Sequence, residues 1–174
     1  MCRVFYTKIQ NIDTESPKQR RQRESRVARR LLCKAAEMCG YKYLPEMEER
    51  TKTGKPIIKN AEWCFSIAHC KDTVLVAVSA QNVGVDIQRV GDVSEKIVER
   101  FLKKSVGTPL ENTFAWTGYE ALGKYLGTGI PLPDEIKEEF RITEFTVGDY
   151  AISVCHGVNE ECYEPQALIG VNEG

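Results

Sequence analysis

Residues 63–90, WCFSIAHCKDTVLVAVSAQNVGVDIQRV, decide the fold that the sequence predicts. Residues 63–68 form a short, largely apolar run, and residues 73–79 are almost wholly apolar, as is typical of a strand covered on both faces. Residues 83–90 alternate apolar side chains with small or polar ones, which predicts a strand with two different faces. We therefore predict three consecutive strands, with His69 in the tight turn between the first two.

Helices and further strands are predicted on both sides of this stretch. On the N-terminal side, residues 2–9 predict a strand, and Ser16-Pro17 opens a helix that ends near Cys39, before Gly40. Residues 41–62 predict an irregular connection. On the C-terminal side the predicted elements are a helix over 93–104, a turn at Gly107 and Pro109, a helix over 111–126, strands over 140–147 and 149–155, and a polar tail.

This order of elements predicts an α+β fold with two pseudo-symmetric halves, each made of an antiparallel sheet and a long helix. We expect the halves to span residues 1–82 and 83–160, followed by a loose tail over residues 161–174. A chain of 174 residues is long enough to bury a hydrophobic core in such an arrangement. Fusion of two halves in one chain favours a monomer.

Composition and charge distribution limit the functional classes. Hydrophobic residues make up 42% of the chain and charged residues 28%, without an apolar run of the ~20 residues that a membrane helix needs. The N-terminus lacks the pattern of a signal peptide, so we expect a cytoplasmic protein. Residues 1–90 carry 17 Lys and Arg against 10 Asp and Glu, whereas residues 91–174 carry 7 against 15. The basic half suits an anionic ligand and the acidic half a cation, although attraction between the halves explains the asymmetry equally well.

The cysteines do not predict a disulfide framework or a zinc site. Their number, seven, is odd, and no two of them have the close spacing that zinc ligands usually show. We expect reduced thiols, several of them buried as small apolar residues. A catalytic cysteine would need a histidine partner, and the sequence holds only His69 and His156.

Four polar residues on two predicted elements could form an oxygen-rich site. Asp86 and Gln88 share one face of a strand, and Glu120 and Lys124 lie one turn apart on a helix. Mg²⁺ in proteins is held by one or two carboxylates together with waters and substrate phosphates. From these residues alone, the favoured interpretations are that the strand pair faces solvent and that the helix pair forms a surface ion pair.

Three segments, taken in their order and spacing, resemble the Sfp-type 4'-phosphopantetheinyl transferase family. They are Gly54-Lys55-Pro56 with Phe65-Ser66-Ile67-Ala68-His69-Cys70, then Gly84-Val85-Asp86-Ile87-Gln88, then Trp116-Thr117-Gly118-Tyr119-Glu120-Ala121-Leu122-Gly123-Lys124. Together with Arg29-Arg30-Leu31-Leu32 on the first helix, the resemblance covers roughly residues 25–155. It implies the family's fold and the transfer of 4'-phosphopantetheine from coenzyme A to a serine of an acyl or peptidyl carrier protein.

The resemblance also implies a role for each matching residue. Asp86 and Glu120 would bind Mg²⁺ with the pyrophosphate of coenzyme A, and Glu120 would also take the proton of the carrier serine. Lys124 and His69 would contact coenzyme A phosphate. The remaining implied sites are the adenosine 3'-phosphate contacts Arg29, Lys55 and Pro56, and a third metal position, Gln88.

Departures from the family pattern leave a second interpretation open. Gln88 stands where many members have glutamate, Gly118-Tyr119 replaces a lysine-containing pair, and Ser66, Ala68 and Cys70 replace the usual neighbours of the histidine. A non-catalytic module that binds coenzyme A or a carrier protein would tolerate these changes. The basic first helix could also contact nucleic acid, but the sequence shows no aromatic stacking platform or nucleic-acid motif, so neither nucleic acid nor membrane is an expected partner.

Overall fold

Two sheets form the framework of the molecule, and the structure, a computed structural model, describes residues 1–10, 16–103 and 107–171. The strands of the two sheets are β1 (Cys2–Lys8), β4 (Cys64–Cys70), β5 (Thr73–Ser79), β6 (Val83–Arg89), β7 (Arg141–Val147), β8 (Tyr150–His156) and β9 (Gln166–Ala167). The first sheet has the strand order β4-β5-β1-β9 and the second has β6-β8-β7, with every pairing antiparallel except that of β9 with β1. The described residues are therefore α+β, as predicted.

A long helix, α1 (Pro17–Met38), covers one face of the first sheet. The side chain of Ser16 accepts a hydrogen bond from the backbone of Gln19, and the side chain of Gln19 accepts one from the backbone of Ser16, so the helix begins with a capping box. Its apolar face, which includes Leu31 and Leu32, is fully buried against the sheet. The basic side chains of its first turns lie mostly on the opposite, exposed face.

The second long helix, α3 (Pro109–Leu126), packs on strands β6 and β8 of the second sheet. It begins with a capping box between Thr108 and Glu111, and it ends at Gly127, whose φ of 71° favours glycine. At Gly84 the helix backbone touches the sheet so closely that a Cβ atom would collide with the carbonyl oxygen of Ala121 and the amide nitrogen of Tyr125. A glycine in β6 therefore sets how near α3 lies to the strand.

The two sheets share a buried core between β4 and β6. Val4, Leu75 and Val85 belong to this apolar cluster, which joins residues of both sheets. The backbone N–H of Val85 also donates a hydrogen bond of 3.1 Å to the Ser66 hydroxyl, across the junction of the sheets. This contact ties β6 to β4 beside a cavity that Ser66 lines.

Several predicted boundaries differ from the structure. The connection over 41–62 holds a 3₁₀ turn (Pro45–Met47) and a hairpin of β2 (Glu48–Arg50) with β3 (Pro56–Ile58). The helix predicted over 93–104 is a single turn, α2 (Glu95–Ile97), which continues as a π-helical turn (Val98–Leu102), and residue 104 lies outside the described residues. His69 is not in a turn but in β4, because this strand extends two residues beyond its apolar run.

The prediction of a loose tail over 161–174 is wrong for residues 161–171. Strand β9 pairs with β1, the backbone of Cys162 forms a β-bridge with that of Cys2, and the Val171 side chain is buried. Just before this segment, the carboxylate of Glu160 is buried and accepts hydrogen bonds from the N-terminal ammonium group and from the Ser79 hydroxyl. The polar composition gave no sign of this docking, because the tail attaches mainly through its backbone and the buried Val171 side chain. Residues 172–174 lie outside the described residues.

A search of the described residues finds no helix with the length and apolarity needed to cross a bilayer.

The contact at Gly84 leads to a stability prediction. We expect Gly84→Ala to lower the free energy of unfolding by about 3 kcal/mol, because its methyl group meets the helix backbone rather than a flexible side chain. The measurement is urea unfolding followed by circular dichroism.

Gly118→Ala is the matched control for this prediction. Gly118 also faces the second sheet from α3, but a methyl group added there would lie 3.7 Å from its nearest neighbour, which is ordinary contact. This change should be neutral or stabilising by up to ~1 kcal/mol, since alanine favours a helix interior. Equal destabilisation by the two changes would contradict the close approach at Gly84.

Candidate active site

Two carboxylates from different elements meet where α3 crosses β6. Asp86 lies on β6 with only 5% of its surface exposed, and Glu120 lies half-buried on α3. Lys124 follows Glu120 by one helical turn and points to the same crossing, where its ammonium group is 2.8 Å from Asp86 Oδ1 and 2.9 Å from the Val85 carbonyl oxygen. The close contact at Gly84 brings these three side chains together, since it sets the distance between helix and strand.

The Gln88 side chain bridges the two carboxylates. Its Nε2 atom is 3.3 Å from Asp86 Oδ2 and 3.3 Å from Glu120 Oε2, so both acids lie within reach of one amide group. The solvent-face interpretation of the strand pair is therefore wrong for Asp86. The surface ion pair between Glu120 and Lys124 is also wrong, because the lysine pairs with Asp86 instead.

The electrostatics of this pair disfavour two negative charges at once. Burial, and next the charge of Asp86, raise the pKa of Glu120 to about 7, while Lys124 and the amide of Gln88 offset part of the rise. A carboxyl group with this pKa exchanges its proton near neutral pH, which suits a general base or acid.

The donor set fits a hard divalent cation. Two adjacent carboxylates, whose repulsion one lysine offsets only in part, gain from a cation between them, and Mg²⁺ needs no more protein ligands than these when substrate phosphate and water complete its shell. Among the described residues, no group of three or more His, Cys, Asp and Glu side chains is placed to hold a metal. Gln88 presents its N–H group to the carboxylates, so its amide would have to rotate to act as a ligand.

A cavity of about 230 Å³ opens beside Lys124, between α3 and the β2–β3 hairpin. Lys55 and Pro56 line it, together with the glycines that follow α3. The Lys55 ammonium group donates to Asn82 Oδ1 and to the Val83 carbonyl oxygen, each at 3.2 Å. Burial, and to a smaller extent the charge of Lys124, lower the pKa of Lys55. The charge of an anionic ligand would favour the protonated ammonium group and so offset this lowering.

A second cavity, of about 340 Å³, continues the first, since Pro56 and Ile67 line both. Arg29 and His69 lie on its wall, with Arg21 and Arg50 beside them. Arg29 is already engaged, because its Nε and Nη2 atoms donate to the two carboxylate oxygens of Glu48 at 3.0 and 2.7 Å. His69 is exposed and its Nε2 atom lies 3.4 Å from Glu24 Oε2.

The structure thus places the predicted site residues at the helix–strand crossing and along two adjoining cavities. Asp86, Glu120, Lys124 and Gln88 meet at the helix–strand crossing, and Lys55 and Pro56 line the adjoining cavity. Arg29 and His69 lie farther along, on the second cavity. The roles that the resemblance implies for them stay predictions.

Two contacts around the site were not predicted from the sequence. Asn82 ties the start of β6 to the end of α3, because its amide donates to the Tyr125 carbonyl oxygen. The Cys70 thiol lies 3.8 Å from Gln88 Oε1, although its residue comes from the other sheet. Burial raises the pKa of this thiol, and the backbone N–H of Arg89 offsets part of the rise. No sequence signal links these residues, since the contacts depend on how the sheets join.

Tyr119, which stands where a lysine was expected, supports the loop after α3. Its ring stacks on Trp116 with centroids 5.9 Å apart, and its hydroxyl accepts a hydrogen bond from the backbone N–H of Leu132. The residue therefore replaces a charge with a structural contact.

Comparison with known proteins gives a partial similarity and no matching family model. The chain is 29% identical over 94 residues to a 4'-phosphopantetheinyl transferase of Aneurinibacillus migulanus, and the match covers 48% of this chain. The chain spans about two fifths, 39%, of the length of that curated relative. This distant similarity supports the general class of phosphopantetheinyl transferases.

The raised pKa of Glu120 predicts that the acidic pair lowers the free energy of unfolding more at high pH than at low pH. Without divalent ions, folded Glu120 keeps its proton up to a pH of about 7, whereas the unfolded chain releases it near 4.5. The folded state binds more protons in this window, so the free energy of unfolding falls as the pH rises. Glu120→Gln removes this loss and should be more stable than the parent by about 1–2 kcal/mol at pH 8, allowing for partial exposure.

The check is urea unfolding in EDTA at pH 5 and pH 8. The advantage of Glu120→Gln should shrink at pH 5 and also when Mg²⁺ is added at pH 8. Glu144→Gln, which alters an exposed carboxylate on β7, serves as the control and should show no such dependence. An advantage that is the same at both pH values would contradict the raised pKa.

Proposed function

We propose that this protein is an Sfp-type phosphopantetheinyl transferase that moves 4'-phosphopantetheine from coenzyme A to a serine of an acyl or peptidyl carrier protein, with Mg²⁺. The observation that carries the proposal is the meeting of Asp86 and Glu120 beside Lys124, a lysine that lines a cavity together with Lys55. The partial similarity to a phosphopantetheinyl transferase supports the same general class.

The proposed reaction is a phosphoryl transfer in which the chain supplies charge and a base. The serine oxygen forms a bond to the phosphorus attached to pantetheine, and the bond from this phosphorus to the bridging oxygen of the pyrophosphate breaks. Adenosine 3',5'-bisphosphate leaves with the electron pair. When bound, Mg²⁺ would neutralise charge that develops on the phosphate oxygens.

Each residue of the crossing has a distinct part in this scheme. Asp86, which is buried and paired with Lys124, would hold the cation. Glu120 would share the cation and accept the serine proton directly or through water, a role that its pKa of about 7 suits. Lys124, which lines the cavity, would contact the phosphates of coenzyme A.

Lys55 and the second cavity would hold the other end of coenzyme A. The Lys55 ammonium group faces two neutral acceptors in a partly enclosed cavity, so a phosphate would provide the counter-charge that it lacks among its hydrogen-bond partners. Pro56 forms the shared wall of the two cavities, and Arg29 and His69 lie beyond it. A ligand with separated phosphate groups fits this arrangement.

A transfer assay tests the proposal. The protein, coenzyme A and Mg²⁺ are incubated with apo carrier proteins from fatty acid, polyketide and nonribosomal peptide systems, and the carriers are weighed by mass spectrometry. We expect at least one carrier to gain the phosphopantetheine mass. Binding of coenzyme A without any gain of mass would instead support a non-catalytic binding module, which the amide of Gln88 between the carboxylates also permits.

Replacing either carboxylate tests the assignment of the site. Asp86→Ala and Glu120→Ala should each lower the transfer rate at least about a hundred-fold, since each removes charge that holds the cation, and should leave circular dichroism spectra unchanged. Glu144→Ala, at an exposed position of β7, is the control and should transfer at the parent rate. Near-full activity in either carboxylate variant would show that the site lies elsewhere.

A change at Lys55 tests whether the cavity that it lines binds coenzyme A. Lys55→Met should raise the KM for coenzyme A about ten-fold with little change in kcat, because a phosphate contact remote from the reacting bond contributes mainly to binding. Lys59→Met, in the exposed part of the same segment, should change neither constant. A drop in kcat with an unchanged KM would place Lys55 at the reacting phosphate instead.

A further inference from the structure

The Cys70 thiol on the first sheet donates a hydrogen bond to Gln88 on the second sheet, and Gln88 also contacts the acidic pair. Cys70, at the end of β4, lies half-buried with its Sγ atom 3.8 Å from Gln88 Oε1. Gln88, on β6, uses the other end of its amide to contact Asp86 and Glu120. The thiol therefore donates its hydrogen bond to Gln88, the side chain that bonds to both carboxylates.

The partners of the Gln88 amide fix its orientation. Its N–H group faces two carboxylates, and its oxygen accepts a hydrogen bond from the Cys70 thiol. The reverse orientation would set the amide oxygen against two carboxylates and leave the thiol hydrogen without its acceptor. The observed arrangement satisfies every polar atom of the amide without a cation.

This orientation is opposite to the one that a cation at the acidic pair would favour. A divalent ion between Asp86 and Glu120 repels N–H donors and attracts an amide oxygen, so its entry requires Gln88 to rotate or withdraw. Rotation breaks the hydrogen bond from the thiol to Oε1. Any group that stabilises this hydrogen bond therefore also raises the cation concentration that is needed to fill the site.

We propose that Cys70 is a positioning residue that acts through Gln88 to set the divalent-cation concentration at which the acidic pair is filled. In the absence of an ion, the amide donors take the place of a cation between the carboxylates, and the thiol keeps them there. Removal of the thiol frees the amide to turn its oxygen to the ion. The inference rests on the proposed metal role of Asp86 and Glu120, and it assigns to Cys70 a task that is separate from transfer.

A double-mutant cycle on cation binding tests the proposal. Mn²⁺ is titrated into the protein without coenzyme A, and free Mn²⁺ is measured by electron paramagnetic resonance, for the parent, Cys70→Ala, Gln88→Ala and the double variant. We expect Cys70→Ala to tighten Mn²⁺ binding about three- to ten-fold, the range that a lost hydrogen bond gives. In the Gln88→Ala background, the same cysteine change should have no effect.

Controls separate this role from general effects of losing a thiol. Cys64→Ala changes another half-buried cysteine of the same strand, at its opposite end, and should leave Mn²⁺ affinity unchanged. If Cys70→Ala does not fold, Cys70→Val replaces it, since valine fills the space but donates no hydrogen bond. Thermal unfolding in EDTA reports whether each variant is folded.

The outcomes distinguish this inference from the proposed function. An unchanged or weaker Mn²⁺ affinity in Cys70→Ala, or an equal change with and without Gln88, would overturn the positioning role and leave the transfer proposal standing. A parent protein that binds no Mn²⁺ would overturn the metal site together with the positioning role. Binding that follows the cycle in a protein that modifies no carrier would overturn transfer alone.

Discussion

The close packing of α3 on β6 at Gly84 is the contact on which the rest of the site depends. Because no side chain separates the helix from the strand at Gly84, Glu120 on the helix lies close enough to Asp86 on the strand for one amide group to contact both carboxylates. Lys124 reaches the same strand from the next turn of the helix. A wider spacing would separate the two acids and expose them to solvent, and the pKa of Glu120 would then lie nearer its ordinary value.

Placing the Asp86 and Glu120 carboxylates close together costs free energy, and the neighbouring groups reduce this cost without removing it. A buried carboxylate is expensive unless it is paired, and Lys124 provides that pairing for Asp86. Glu120 has no cation of its own among these contacts, and its raised pKa expresses the remaining cost. Such local destabilisation is typical of sites built to hold something else, because a bound ion or substrate then contributes the missing interaction.

The sequence predicted elements well where local patterns decide them, and contacts poorly where the join between sheets decides them. The strands that end at Ser79 and Arg89 follow from their apolar patterns, and α1 from its capping residues and Pro17. The meeting of Asp86 with Glu120 was predicted only through a family resemblance, since 34 positions separate them along the chain. Docking of the tail and the bond from Cys70 to Gln88 depend on long-range geometry, for which no local pattern exists.

The partners of the basic residues indicate that an anionic ligand gains more from contact with Lys55 than from contact with Arg29. Arg29 already makes a two-point contact with Glu48, so a phosphate there would compete with a carboxylate that is in place. The hydrogen-bond acceptors of Lys55 are neutral, and its burial beside Lys124 disfavours its charge. A phosphate at Lys55 would add a counter-charge and offset the repulsion from Lys124. The strongest electrostatic gain on binding an anion is therefore expected in the cavity that Lys55 lines, rather than at Arg29.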